Sequence, residues 1–246
     1  MGTVPPAQAS RHAPAFFRVR ACEATGVRAL DWRAGAGPAG SFPLPVRPDA
    51  ARRQIFQPLP MPAPTLASLY QRAMGPAFGR LAPALARFHS LSGRHRLRGK
   101  VVVEAPAGAM GRLLAWALGA PLHPVQGDIV FELDATPGAE VWTRCFPART
   151  MRSTLRESGG RVVEHLGAAR LGFVLDEQQG RLVMRLQDLH FLGIPCPAWL
   201  RPRVVAEETG RGDTLHFHVQ ATVPWVGRVV HYRGHLVVPA TEGLPP

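Results

Sequence analysis

DIVFELDATPGAEVWTRCFPARTMRSTLRESGGRVVEHLGAARLGFVLDEQQGRLVMRLQDLHFL, residues Asp128–Leu192, is the stretch whose reading decides the fold. It breaks into short runs at Pro137-Gly138, Pro147, Gly159-Gly160, Gly167 and Gln179-Gly180. Successive side chains of a strand point to opposite faces, so a sheet with one buried face carries an apolar residue at every second position. Ile129, Phe131 and Leu133 follow that rule, as do Leu171, Phe173 and Leu175, and then Leu182, Met184 and Leu186. Such runs, joined by tight turns with no helical segment between them, spell an antiparallel meander rather than alternating strands and helices.

Working upstream, Leu66, Leu69, Tyr70, Ala73 and Met74 share one face of a helix with Thr65 as its cap, ended or kinked at Gly75-Pro76. Leu81, Leu85 and Phe88 predict a second short helix from about Pro83. HRLRGKVVVEA (95–105) reads as a strand, and Met110, Leu113, Leu114, Ala117 and Leu118 as a helix stopped by Gly119 and Pro121. Downstream, LGIPCPAWLRPR (192–203) is a proline-punctuated crossover with one helical turn at Ala198–Leu200. RVVAEE, DTLHFHVQATV and RVVHYRGHLVV then close the domain as strands.

The last two of these strands have a register that parity dictates. A turn through Pro224, Trp225, Val226 and Gly227 pairs Val223 with Arg228. Phe217 then meets Gly234, Val219 meets Tyr232 and Ala221 meets Val230 on the apolar side. On the polar side His216 meets His235, His218 meets Arg233 and Gln220 meets His231. A slip by one residue would set the apolar row beside the polar one. The sequence therefore predicts an α+β domain: a strongly curved antiparallel sheet of about nine strands, barrel- or clam-like, packed on two or three helices.

The domain spans residues 64–240, followed by a tail at 241–246. Residues 1–63 hold ten of the 25 prolines and few periodic apolar positions, which reads as mostly disordered. Gly35-Ala36-Gly37-Pro38-Ala39-Gly40 matches a dinucleotide-binding spacing, but Pro38, Pro43, Pro45 and Pro48 deny it the helix that such a motif must open.

The formal charge of +12 is carried almost wholly by arginine, since Lys100 is the only lysine. The arginines are spread over the strands instead of clustered with aromatics, so nucleic acid is not the expected partner, and an anionic membrane surface or acidic partner fits at least as well. Cys22, Cys145 and Cys196 are odd in number and far apart, which points to reduced thiols in a cytoplasmic setting and makes Cys145 a buried inert thiol. No signal-peptide core is visible, and Arg112 interrupts the most apolar run, MGRLLAWALGAPL, so the chain reads as soluble or peripheral to the inner membrane.

SLYQRAMGPAFGRL, AEVWTRCF, LGIPCPAWLRPRV and VHYRGHL, in that order between Leu66 and Val238, resemble the bacterial domain of unknown function "forty-one sixty-six". The resemblance implies a module that occurs alone, as a C-terminal extension of saccharopine-dehydrogenase-like oxidoreductases, or beside membrane segments. It implies no catalytic residues. Nothing before Thr65 reads as a nucleotide-binding domain, so the implied form is the independent accessory module.

The apolar strand faces and the helices can fill one another or leave a cavity. The second option makes Phe131, Met151, Leu155, Phe173, Met184 and Leu186 the lining, with the 107–119 helix as lid. Arg144, Arg152 and Arg156 are candidates for a phosphate or carboxylate headgroup. Asp188 and His190, two apart, are the acid and base of an alternative reading as an enzyme with a helix-grip-like cavity. His216, His218, His231 and His235 lie near enough on paired strands to be weak metal candidates, opposed by Arg233. The reading is a non-catalytic accessory module, without cofactor or metal. It binds a hydrophobic or amphipathic small molecule, or docks against an oxidoreductase or membrane partner.

Overall fold

The computed structural model describes residues 67–239, so the readings made on residues 1–63 and on the tail lie outside the described residues. Among the described residues eleven strands occur: β1 Gly93–Val103, β2 Val125–Thr136, β3 Ala139–Phe146, β4 Arg149–Ser158, β5 Arg161–Leu166, β6 Ala169–Gln178, β7 Arg181–Phe191, β8 Ile194–Pro195, β9 Arg203–Arg211, β10 Thr214–Val223 and β11 Gly227–Val237. Each long strand pairs antiparallel with its neighbour in sequence, and β1 pairs with β11 while β7 pairs with both β6 and β9. The result is an up-and-down barrel of ten strands, with β8 a two-residue spur on β7. Closure removes the two exposed edges that an open meander would present.

The two joints that close the ring differ. β1 and β11 pair over six positions, from Arg98↔Val237 to Val103↔Tyr232. The main chains approach so closely here that a Cβ on Gly234 would lie 2.1 Å from the Lys100 carbonyl oxygen. β7 and β9 pair only at Leu182↔Glu208 and Val183↔Glu207. Beyond that point β7 turns back on β8, and the crossover 192–202 fills the gap between β7 and β9.

One end of the barrel is stoppered by α1 Leu69–Met74, a 3-10 turn Gly75–Arg80 and α2 Pro83–His89. Ser68, not Thr65, caps α1: its hydroxyl accepts from the Gln71 N–H, and the Gln71 side chain accepts from the Ser68 N–H. This reciprocal pair is the capping box that Ser68-x-x-Gln71 encodes. Arginines fasten the helices to the strand turns, with Arg72 donating to the Pro137 carbonyl at 2.8 Å, Arg80 to Glu177 at 2.7 Å and Arg87 to Asp213 at 2.7 Å. Leu69, Tyr70, Leu85 and Phe88 are buried beneath them.

The opposite end carries α3, Gly108–Ala117, with the crossover and its 3-10 turn Ala198–Leu200. α3 reaches from the β10–β11 turn, where the Ala107 N–H donates to the Arg228 carbonyl, to the β5–β6 turn, where the Ala168 N–H donates to the Ala117 carbonyl. Gly167 permits that second contact, because a Cβ there would stand 2.3 Å from the Ala117 oxygen and φ is +54°.

The β10–β11 register follows parity from Thr214↔Val237 to Ala221↔Val230, placing His216 opposite His235 and Phe217 opposite Gly234. It then shifts, and Val223 pairs with Gly227 instead of Arg228. Val229 is the extra residue, left unmatched as a bulge in β11, and a three-residue connection with Trp225 at φ +58° makes the turn.

Candidate functional site

Inside the barrel lies a cavity of about 260 Å³. Its walls come from inward positions all round the ring, among them Ile129, Met151, Phe173, Ala206, Val219 and Val230. α3 contributes Leu114 and Leu118, and the crossover contributes Cys196, Leu200 and Pro202 where β7 and β9 part. α3, the helix read as a lid, therefore forms part of the wall at one end of the cavity. Its buried stripe is Gly111 and Ala115 with half-buried Leu114 and Leu118, while Met110 and Leu113, read from spacing as part of the inner face, are exposed.

The predicted lining residues Phe131, Met151, Leu155, Phe173 and Met184 all face the cavity. Leu186 is not among its walls, and is a half-buried residue packed against the core. A bulge follows it: Phe173 pairs with Leu186 but Gly172 with Asp188, which leaves Gln187 unmatched. Beyond it the inward residues of β7 are Leu189 and Phe191. The same phase change sends Asp188 outward, where its carboxylate lies 3.7 Å from Arg161 and 3.8 Å from Arg170, and His190 lies beside Arg170. Asp188 and His190 do not share a site with the cavity.

The arginine trio separates. Arg144 points inward and is buried, whereas Arg152 and Arg156 alternate with Met151, Ser153 and Leu155 and are exposed on the outer face. The four histidines are also on the outer face, as two ring contacts of 5.7 Å for His216–His235 and 5.3 Å for His218–His231. His231 lies 3.2 Å from Glu104, and no group of three metal-binding side chains forms among the described residues. Cys196 is a free thiol, while Cys145 is partnered, so the reading of Cys145 as an idle thiol is set aside.

The sequence reading does not anticipate the floor of the cavity. Arg144 donates to Ser153 Oγ at 3.0 Å and to Glu164 at 3.4 Å, with its guanidinium 4.9 Å from the Trp142 ring. His89 of α2 donates to Glu208 at 2.7 Å, and the Trp142 indole N–H donates to Glu140 at 2.9 Å. All six of His89, Glu140, Arg144, Ser153, Glu164 and Glu208 are buried. Tyr70 stacks on His89 at 3.8 Å, and its hydroxyl has no hydrogen-bond partner among the described residues. Arg144, Glu164, Glu208 and Tyr232 line the cavity itself. Cross-strand parity could have found Arg144: it pairs with Phe131 and Trp142 pairs with Leu133, so both must share the inward face.

Burial raises the pKa of the Glu140 carboxyl and of the Tyr70 and Tyr232 hydroxyls, and the charges of Glu208, Glu140 and Glu164 raise Tyr70 further. Burial also works against a charged Arg144, but Tyr232, Glu164, Tyr70 and Glu208 around it outweigh that and leave its pKa raised. The carboxyls of Glu140, Glu164 and Glu208 thus share one guanidinium and one imidazole beneath the chamber, and of these groups Arg144, Glu164 and Glu208 line it.

No curated protein matches the sequence. Among solved structures, Rv2717c from M. tuberculosis aligns over 65% of this chain and 99% of that one at 12% identity, with a TM-score of 0.37. Residues 81–236 match the family described as Domain of unknown function (DUF4166), and the chain belongs to that family.

Proposed function

We propose that the barrel is a non-catalytic carrier or sensor that holds a hydrophobic or amphipathic small molecule in its cavity. The observation that supports this is the chamber of about 260 Å³, the share of roughly nine waters, walled by aliphatic and aromatic side chains. Its mostly apolar walls offer water few partners, so an apolar molecule is favoured as the occupant.

The floor bears on which molecule fits. A ligand whose polar end reaches Arg144 also meets Glu164 and Glu208. A carboxylate would be repelled by those acids, whereas a hydroxyl or other uncharged group could donate to them and accept from Arg144. The pairs in the floor are engaged with one another, and Asp188 with His190 lies outside, so the alternative reading as an enzyme finds less support.

Native mass spectrometry and solvent extraction of the purified full chain test the reading. The expected result is a stoichiometric apolar molecule, or uptake of a long-chain alcohol by the emptied protein that Met151→Trp abolishes while the fold persists. A folded protein that carries nothing and takes up nothing would overturn it.

A further inference from the structure

Eight large apolar side chains are exposed among the described residues, and seven of them sit at the α3 end of the barrel. Met110, Leu113 and Trp116 project from the outer side of α3, each more than half exposed. Leu192, Ile194 and Trp199 do the same from the crossover. Trp225, at the tip of the β10–β11 turn, is 82% exposed and lies 5.7 Å from Trp199, ring to ring. Its backbone has a positive φ of 58°, a conformation that a bulky residue rarely adopts. Three separate segments thus hold apolar groups in solvent at one end of the barrel, and α3 is apolar on both its inner and its outer side.

The charges at this end are almost all of one sign. The segments that build it, 103–125, 146–149, 166–169, 191–203 and 223–228, contain Arg112, Arg149, Arg201, Arg203 and Arg228 against the single acid Glu104. Glu104 is taken by Arg228 at 2.6 Å. Arg112, Arg201 and Arg203 form no ion pair among the described residues, whereas Arg149 donates to the Gly119 carbonyl at 3.0 Å and the Trp116 carbonyl at 3.4 Å and so is held by the end of α3. At the other end Arg72, Arg80, Arg87 and Arg94 each have a carboxylate partner, respectively Glu157, Glu177, Asp213 and Asp134.

We infer that the α3 end docks on an anionic lipid bilayer, with the tryptophans and the outer side of α3 in the interfacial layer and the unpaired arginines on the headgroups. Tryptophan suits that layer because its ring is apolar and its N–H is not. An arginine near an anionic surface multiplies binding by about fivefold, an effect that salt removes. No helix among the described residues is long and apolar enough to cross a membrane, so the contact proposed is with the surface. It also sets the α3 end of the cavity, walled there by Leu114 and Leu118, against the phase where apolar molecules reside. The docking rests on exposure and charge alone and does not require the cavity to be loaded.

Sedimentation of the full chain with vesicles of pure phosphatidylcholine and with vesicles containing phosphatidylglycerol tests this. Binding is expected to the anionic vesicles, at least tenfold above the neutral ones, and to fall with added salt. Trp225→Ser, in a side chain too exposed to affect folding, is expected to lower it by about tenfold, and Arg201→Glu with Arg203→Glu by more. Bound protein should show quenching of tryptophan emission by brominated acyl chains. Equal binding to both vesicle types, no binding, or indifference to both variants would overturn the inference. So would a dimer in the ultracentrifuge that Trp225→Ser dissociates, because the patch would then be a contact between copies. Ligand retention measured on the same variants stays unchanged if docking alone fails, which separates this test from that of the cavity.

Discussion

Ala206→Leu asks whether the chamber is space or core. Ala206 is a buried β9 residue opposite Val219, and its methyl faces the cavity. The change adds three carbons. In a chamber of about 260 Å³ they have room, and at about 0.8 kcal/mol per buried carbon they are worth about 2 kcal/mol. For a domain of this size that raises the melting temperature by about 4–8 °C. In a filled core the same carbons would force neighbours off their rotamers and cost about 1–3 kcal/mol. The two cases differ in sign, so an imprecise measurement suffices. Urea unfolding of delipidated protein should show a higher midpoint with an unchanged slope. With ligand at a hundredfold excess over Kd the order should reverse, because binding adds about 2.7 kcal/mol to the wild type only. A lower midpoint for delipidated Ala206→Leu would refute the existence of usable space and with it the proposed function.

Gly234→Ala sets a Cβ 2.1 Å from the Lys100 carbonyl oxygen and 2.8 Å from the Phe217 ring. A loss of about 3 kcal/mol or more, or failure to fold, is expected in thermal melts, and normal stability would argue against the β1–β11 register. Burial holds the folded-state pKa of Glu140 above the unfolded value of about 4.3, so its favourable contribution is complete below that value and is lost as pH rises through the folded one. Glu140→Gln keeps an acceptor for Trp142 and should raise the melting temperature at pH 7 to 8, with the gain vanishing near pH 4; an equal gain at every pH would show that ionisation is irrelevant. Partial burial, His235 and Arg211 lower the pKa of His216, so its contribution is present above the unfolded value of about 6.5 and lost as pH falls through the folded one. His235→Gln should therefore flatten the fall in stability between pH 7 and 5, and an unaltered pH profile would exclude the histidine pair as its source.

What the sequence shows of this fold is what period two can encode. Alternation marks Phe131, Met151 and Phe173 as inward, and the same parity fixes the β10–β11 ladder for eight successive pairs. Parity fails where a residue is inserted, because one bulge inverts everything after it. Gln187 does this in β7, which is why Leu189 and Phe191 join the lining while Asp188 and His190 turn outward. Composition misleads at Arg144, since an arginine beside exposed Arg152 and Arg156 looks solvated until its strand partner Phe131 is known. The buried floor is illegible for another reason. His89 and Glu208 are 119 residues apart, and only the closed ring with α2 inserted in its end brings them together.

The two-pair contact between β7 and β9 has a consequence in time. A ring opens where it is held by the fewest backbone bonds, and local opening costs far less free energy than global unfolding. Amide hydrogens of β9 near Val204 and of β7 near Leu189 are thus expected to exchange with solvent well before those of the six-pair β1–β11 joint. The crossover spans that weak joint, held there by the Cys196 N–H donating to the Leu189 carbonyl at 2.8 Å. A molecule in the chamber would then leave sideways, through a breathing seam, faster than α3 could swing from its anchors at Arg228 and Ala168. Its residence time would be set by the dissociation rate of a few hydrogen bonds in the main chain, and would be tunable by substitutions in the crossover that leave every cavity wall untouched.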